Sequence, residues 1–230
     1  MAKIKDFLTI EQAKRGIYID FEGFKGSKRG EIPLPHVLGA WCNGKNSNNK
    51  LYLLRDYFKP LGRPAVVSNH WASRPVMNID EAILELIEWS TRENRLLLYF
   101  SKHEKDAIKK HCTEEVSNAF SERSRNAKLT VNEWHRKKRR GIPKSKSLKW
   151  YFSFIKYENQ TPEDYKMTLA LKKIEAAVQK TTRWKQLDKK IQDMWAQLVM
   201  YNLHDCKGLK KLTNKAANGL HAKRRRANNE

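Results

Sequence analysis

The sequence predicts an α/β fold: three antiparallel strands, then alternating helix and strand, joined in one mixed sheet with helices on both faces. Three observations predict it. Short apolar runs separated by turn clusters fill the first third of the chain. The hydrophobic period then changes to a helical one near residue 79. A second buried-strand run, Leu96-Leu97-Leu98-Tyr99-Phe100, follows between two helical stretches. The 230 residues, 40% hydrophobic, suffice for one domain with a substantial core. We place that domain at residues 1–213, with an insertion or mobile basic segment at 113–146. A basic tail expected to be disordered occupies 214–230, and no internal repeat is visible.

The first strand covers residues 16–22, where three apolar residues run into Asp20-Phe21-Glu22. Residues 37–42, entered from Pro33 and Pro35, form the second. The turn cluster at 43–49 leads to the third, at 50–55, and such short connections argue antiparallel hairpins. Residues 60–78 read as irregular, with Pro60, Pro64 and Pro75. Ile79, Ile83, Leu84, Leu86 and Ile87 define a helix over 79–91. After the strand at 96–100 come a helix at 103–112 and a fifth strand at 128–134 ending in a basic run. Further helices cover 147–156, a stretch opened by Pro162 and running through 178, and 184–213. Lys223-Arg224-Arg225-Arg226 reads as a frayed end.

Charge bounds the function. Against 25 acidic residues stand 47 basic ones, a formal +22, so polyanions are attracted. Nucleic acid, DNA or RNA, is the default partner and an anionic membrane surface the competitor. No apolar run approaches the roughly 18 residues that cross a bilayer, and the first residues hold no signal-peptide core. Cys42, Cys112 and Cys206 are scattered, which suggests a reducing compartment and no paired-cysteine zinc site. A cytoplasmic address is expected, or a nuclear one in a eukaryotic source.

Acids stand where apolar residues belong. Asp20 and Glu22, two apart on a strand, share a face, and two such carboxylates resist burial unless a cation neutralises them. The bland alternative is a strand running out into a solvated acidic turn. On the last helix, Ile191, Met194, Trp195, Leu198, Tyr201, Leu209 and Leu212 form an apolar stripe whose gap falls on Asp205. The alternative is a rotated helix with Asp205 at its margin. Glu104 shares a helical face with Ala107, Ile108 and His111, just beyond a strand's carboxyl end, where sites gather in open α/β sheets. A first-turn acid is also ordinary helix-dipole chemistry. Together the four acids call for roughly two divalent cations, the apparatus of in-line phosphodiester cleavage. Oxygen ligands imply Mg²⁺ or Mn²⁺.

A second group is basic. Trp134-His135-Arg136-Lys137-Lys138-Arg139-Arg140, extended by Lys144, Lys146 and Lys149, can track phosphates with Trp134 available for stacking. The alternative is a solvated charged loop. Asn69-His70-Trp71 either lines a substrate groove or anchors its loop. His103, His111 and His204 read as surface residues or partners of the carboxylates.

The chain resembles the DEDD superfamily of 3′–5′ exonucleases, in its tyrosine form, on a ribonuclease H-like fold. Tyr18-Ile19-Asp20-Phe21-Glu22-Gly23 is similar to the first motif, Asp-x-Glu. Leu98-Tyr99-Phe100-Ser101-Lys102-His103-Glu104-Lys105 resembles the second, in branches where Glu replaces Asp. Tyr201-Asn202-Leu203-His204-Asp205 resembles the third, Tyr-x-x-x-Asp, and Ser147-Leu148-Lys149 is similar to the Ser-Leu-Lys that opens the helix between the second and third motifs. The resemblance runs in patches over residues 15–212. It implies that Asp20 bridges two metal ions and that Glu22 and Asp205 hold the one that activates water. It further implies that Glu104 reaches the second ion through water and that Tyr201 orients the attacking water. Gly23, with Phe24 beside it, stands where many relatives carry Thr, and its backbone is expected to let a terminal nucleotide approach closely. Phe100 and Glu104 depart from the common residues at their positions. The expected function is a 3′–5′ exonuclease acting on single-stranded or unpaired DNA or RNA ends. A catalytically silent nucleic-acid-binding module of the same fold and an endonuclease on the same site are the alternatives.

Overall fold

The computed structural model describes residues 7–24, 26, 30–43, 49–62, 75–139, 146–158, 166–181 and 183–227. Asn69-His70-Trp71, Arg140, Lys144 and Pro162 lie outside the described residues, as do the side chains of Arg139 and of the run from Lys223 to Arg226.

Five strands form one mixed sheet: β1 (Ile17–Glu22), β2 (Val37–Trp41), β3 (Lys50–Leu53), β4 (Leu97–Tyr99) and β5 (Ser124–Asn126), in the order β3-β2-β1-β4-β5. β1 pairs antiparallel with β2, Asp20 opposite Gly39, and β2 pairs antiparallel with β3. β1 pairs in parallel with β4, and β4 with β5. The central position of β1 explains its near-continuous apolar run, because a strand covered on both faces has no solvent side to fill with polar residues.

The two faces of β1 have different neighbours. Ile17, Ile19 and Phe21 join Leu38, Ala40 and Tyr52 in a core with Ile83, Leu86 and Trp89 of α2 (Ile79–Arg92), Ile108 of α3 (Lys102–His111) and Phe120 of α4 (Glu114–Arg123). Tyr18 points the other way, into a core with Leu98, Val131 of α5 (Ala127–Arg139), Tyr151 of α6 (Leu148–Ile155) and Leu209 of α8 (Lys189–Ala227). Val37, Leu51 and Leu53 meet Leu171 and Ile174 of α7 (Met167–Val178) together with Trp195 and Leu198 of α8. By the two-residue period of a strand, Asp20 and Glu22 lie on the Tyr18 face, under α8.

The spine of that layer is α8, whose 39 residues span about 58 Å at the helical rise. Its first half packs with α7 and its second with α5 and α6. Close approach is bought with glycine: a Cβ on Gly208 would strike the Phe152 ring and come within 2.7 Å of Tyr157, and one on Gly219 would strike the Trp134 indole. A short α1 (Ile10–Arg15), closed by a Thr9–Gln12 capping box, lies beside α8.

Several expectations are corrected. The stretch 128–134 is helical, in α5, and only Ser124–Asn126 forms the fifth strand. Burial falls on Ala127, Thr130, Val131 and Trp134, a helical period. The supposed insertion over 113–146 supplies α4, β5 and α5, which are parts of the sheet and both cores. The tail continues α8 through Ala227, and Ala216 and Leu220 are buried against α5. The last helix does not begin at 184: Trp184–Gln186 is a 3₁₀ turn, and α8 starts after Asp188, whose carboxylate accepts from the Lys190 amide at 2.7 Å. Helices α1 and α4 and the 3₁₀ segment Asp56–Leu61 are additions to the sequence reading. Among the described residues no helix is long and apolar enough to cross a membrane.

The Gly208 contact gives a stability prediction. Gly208→Val, nearly neutral in helix propensity, is expected to destabilise the fold by about 1–3 kcal/mol through overpacking against Phe152. Urea denaturation measures this, and an unchanged midpoint would contradict the close α6–α8 approach.

Candidate metal centre

Asp20 and Glu22 occupy the carboxyl-terminal end of the central strand, and α8 crosses above them. Asp205 projects down from α8. One carboxylate oxygen from each of Asp20, Glu22 and Asp205 lies within 4.8 Å of the others. Glu22 and Asp205 are buried, whereas Asp20 keeps partial exposure. The inward gap in the helical stripe is therefore an acid facing two acids.

Two neighbours on α8 fix this geometry. Asn202, fully buried and three residues before Asp205, donates from Nδ2 to the main-chain oxygen of Asp20 at 3.1 Å and to its Oδ2 at 3.1 Å. Both partners are acceptors, so the amide orientation is set by chemistry. Tyr201, one turn before Asp205, donates its hydroxyl to the Asp205 carboxylate. Lys149, at the start of α6, holds its ammonium 5.0 Å from the centre of the Tyr201 ring. Its charge also favours the ionised forms of Glu22 and Asp205.

The electrostatics are those of a site lacking compensating charge. Burial, then the charges of Glu22, Asp205 and Glu104, hold the Asp20 carboxyl well above the usual carboxylate range. Burial and then Asp205 push Glu22 up to about 8, and a proton on Asp20 bonds the two side chains. Asp205 is pushed up to about 7 by burial, against the opposing effects of Lys149 and Tyr201. Tyr201 is itself held neutral by burial and the adjacent acids. Asp205 Oδ1 is buried without a protein hydrogen-bond partner. An orphaned carboxylate oxygen facing two further carboxylates suits a hard cation. Around one octahedral Mg²⁺, with oxygens about 2.1 Å from the ion, cis oxygens stand about 3 Å apart and trans oxygens about 4.2 Å, and three carboxylates within 4.8 Å of one another can reach such spacings by side-chain rotation.

Glu104 stands beside this triad and not within it. It is the third residue of α3 and closes a capping box. Its Oε2 accepts from the Ser101 amide at 3.1 Å and the Ser101 hydroxyl at 2.5 Å. Burial raises its pKa and the Ser101 bonds restrain it. It is close enough for its charge to raise Asp20 and Glu22. The helix-terminus reading of Glu104 therefore holds, and its charge reaches the triad from beside it.

The residues expected to contact nucleic acid fare unequally. Gly23 follows Glu22 directly, and a Cβ there would come within 3.2 Å of Pro35 Cα. Phe24 is half-buried, its ring edge-on to His36 with centroids 4.4 Å apart. Trp134 is buried against Gly219, so the expectation that it stacks on a base is corrected: α5 turns it inward. Arg136 and Lys137 are exposed and both pair with Glu133, at 2.7 and 3.4 Å. Lys138 and Lys146 lie over aromatic rings, of Trp134 and Phe154 and of Trp150 respectively. His103 is exposed, and His111 Nε2 is 2.7 Å from the Ile32 carbonyl oxygen. Asn202 and the role of Lys149 escaped the sequence reading. The signal for Asn202 was a second polar residue on the inward face beside Asp205.

No protein-family model, no curated protein and no solved structure matches the chain.

A pH dependence follows. The folded carboxyls of Glu22 and Asp205 keep protons to about 8 and 7, whereas the unfolded chain releases them near its ordinary values, 4.5 and 3.8. The folded state thus binds more protons between those limits, and stability falls as pH rises through them. Without divalent cations the melting temperature is expected to drop from pH 5 to pH 8, by about 2–4 °C per kcal/mol lost. Mg²⁺ or Mn²⁺ should raise it more at pH 8 than at pH 5, and Glu22→Gln should flatten the metal-free slope. Scanning fluorimetry reads all three. A slope unaltered by both cation and substitution contradicts the site.

Proposed function

We propose that the chain is a divalent-metal-dependent nuclease of ribonuclease H-like fold, acting as a 3′–5′ exonuclease on single-stranded or unpaired DNA or RNA ends. One observation carries the reading: three carboxylates from a central strand and a crossing helix converge beyond a strand's carboxyl end, with a tyrosine hydroxyl bonded to one of them. The order β3-β2-β1-β4-β5, with only the first three strands antiparallel, supports the fold assignment. The formal +22 of the chain, its clustered acids included, supports a polyanionic substrate.

Asp20, Glu22 and Asp205 are the residues that would hold Mg²⁺ or Mn²⁺, with Glu104 in reserve for a second ion. Bound there, a divalent cation supplies Lewis-acid stabilisation of the phosphodiester under attack by water. The chain's own groups do the rest. Asn202 keeps Oδ2 of Asp20 from rotating away. Tyr201, neutral at any working pH, keeps its proton directed at Asp205 and is placed to orient the attacking water. Lys149 contributes positive charge at the mouth, where phosphate oxygens arrive. Hydrolysis joins the water oxygen to phosphorus and breaks the bond to the 3′ oxygen. The products are a nucleoside 5′-monophosphate and a strand one residue shorter.

A specific observation favours a second reading. Glu104 commits one oxygen to two Ser101 donors, which weakens it as a ligand and suits a nucleic-acid-binding module without full two-metal activity.

Oligonucleotides labelled at either end separate these readings. With Mg²⁺ or Mn²⁺, the 3′-labelled strand should release labelled mononucleotide first, while the 5′-labelled strand shortens stepwise. Asp20→Asn should reduce the rate by on the order of 100-fold or more, and Tyr201→Phe by roughly 10–100-fold with the fold intact. No cleavage of any DNA or RNA with either cation would sink the enzyme reading.

A further inference from the structure

Helix α6 does two things at once. Its first turn brings Lys149 to the carboxylates, and the neighbouring face carries Trp150 and Phe154, four residues apart. These two rings lie parallel, with centroids 5.6 Å apart and planes within 7°, and both are half-buried. His135 of α5 stands edge-on to both, at 5.2 and 5.0 Å, and holds them side by side. Lys146, one turn before Trp150, places its ammonium 5.1 Å from that ring's centre. Lys138 of α5 places its own 5.5 Å from the Phe154 ring. The result is a surface column in the order lysine, tryptophan, phenylalanine, lysine. Among the described residues no carboxylate pairs with either lysine, unlike Arg136 and Lys137 beside them.

Both rings pack against the core beneath them, yet neither is enclosed by it. Aromatic rings recruited only to fill a core are buried, as Tyr151 and Phe152 of the same helix are. Trp150 and Phe154 instead stay at the surface under two ammonium groups. Parallel rings flanked by two ammonium groups suit a ligand that is flat, aromatic and anionic along one edge. A nucleotide base stacks on the ring while its phosphate draws the lysine off the ring face.

We propose that the Trp150–Phe154 column, flanked by Lys146 and Lys138, is a base-stacking site for unpaired nucleotides. The proposal rests on the nuclease reading for the identity of the strand. It places that strand along α6, where Trp150 and Phe154 stand about 1.5 and 7.5 Å of helical rise beyond Lys149. Duplex, whose bases are already stacked, gains nothing there. The site replaces Trp134 as the stacking residue.

Binding tests this without cleavage. The full chain, in EDTA, is titrated by fluorescence anisotropy with labelled dT12 and with a twelve-unit chain of abasic phosphodiester carrying the same charge. The wild-type protein should bind dT12 about tenfold or more tightly than the abasic chain. Trp150→Leu, which keeps apolar bulk and removes the ring, should bring the ratio near one. Lys138→Glu with Lys146→Glu should weaken both ligands alike. A 4-thiothymidine oligonucleotide, which needs no variant, should crosslink to residues 146–158. Equal wild-type affinity for the two chains, a preference that survives Trp150→Leu, or crosslinks only elsewhere would each overturn the site. Asp20→Asn protein should give the same ratio as wild type, so loss of cleavage and loss of base preference are read separately.

Discussion

The mutual repulsion of Asp20, Glu22 and Asp205 is the constraint around which this molecule is arranged. The period of β1 puts the first two on one face. A central strand leaves them no route to solvent except past its carboxyl end, and α8 closes the face above them with a third acid. Nothing in folding favours this: burial and like charge both oppose ionisation. The acids therefore persist at the cost of stability, which is the usual signature of a working site.

The surroundings read as support for that arrangement. On the far face of β1 the apolar core is unbroken, from Ile17 to Phe120. On the near face α8 anchors itself above and below the acids, with Trp195 and Leu198 on one side and Leu209 and Leu212 on the other. Asn202, Tyr201 and Lys149 then act locally, fixing a rotamer, supplying a proton and lending a charge. The basic exterior and the acidic pit are complementary parts of one field. Such a field favours polyanions at the surface and cations between the three carboxylates.

Much of this was legible in the sequence, for identifiable reasons. Asp20, Glu22 and Asp205 interrupt apolar patterns, so an inward direction could be read beside the alternatives of a solvated turn and a rotated helix, and the fold brings all three together. The first four strands and the helix at 79–92 followed from the same periods. What failed has equally local causes. The helix α5 hides behind Lys, Arg and β-branched residues, and its period appears only once Ala127 and Thr130 are known to be buried. Trp134 looked exposed because basic residues follow it, yet the partner that buries it is Gly219, 85 positions away. The tail read as disordered because its charge hid Ala216 and Leu220. Glu104 satisfied two patterns at once, a cap and an inward acid, and geometry keeps both. Asn202 left only a weak signal, a polar residue on the inward face beside Asp205, because an amide carries no charge to mark it.

The central claim is that the three carboxylates form a cation site, and a crystal of the protein equilibrated with Mn²⁺ tests it most directly. Anomalous scattering at the manganese edge should show a peak within coordination distance of Asp20, Glu22 and Asp205 at once, and Asp205→Asn should remove or displace it. A well-ordered structure at millimolar Mn²⁺ with no peak between these side chains would contradict the account.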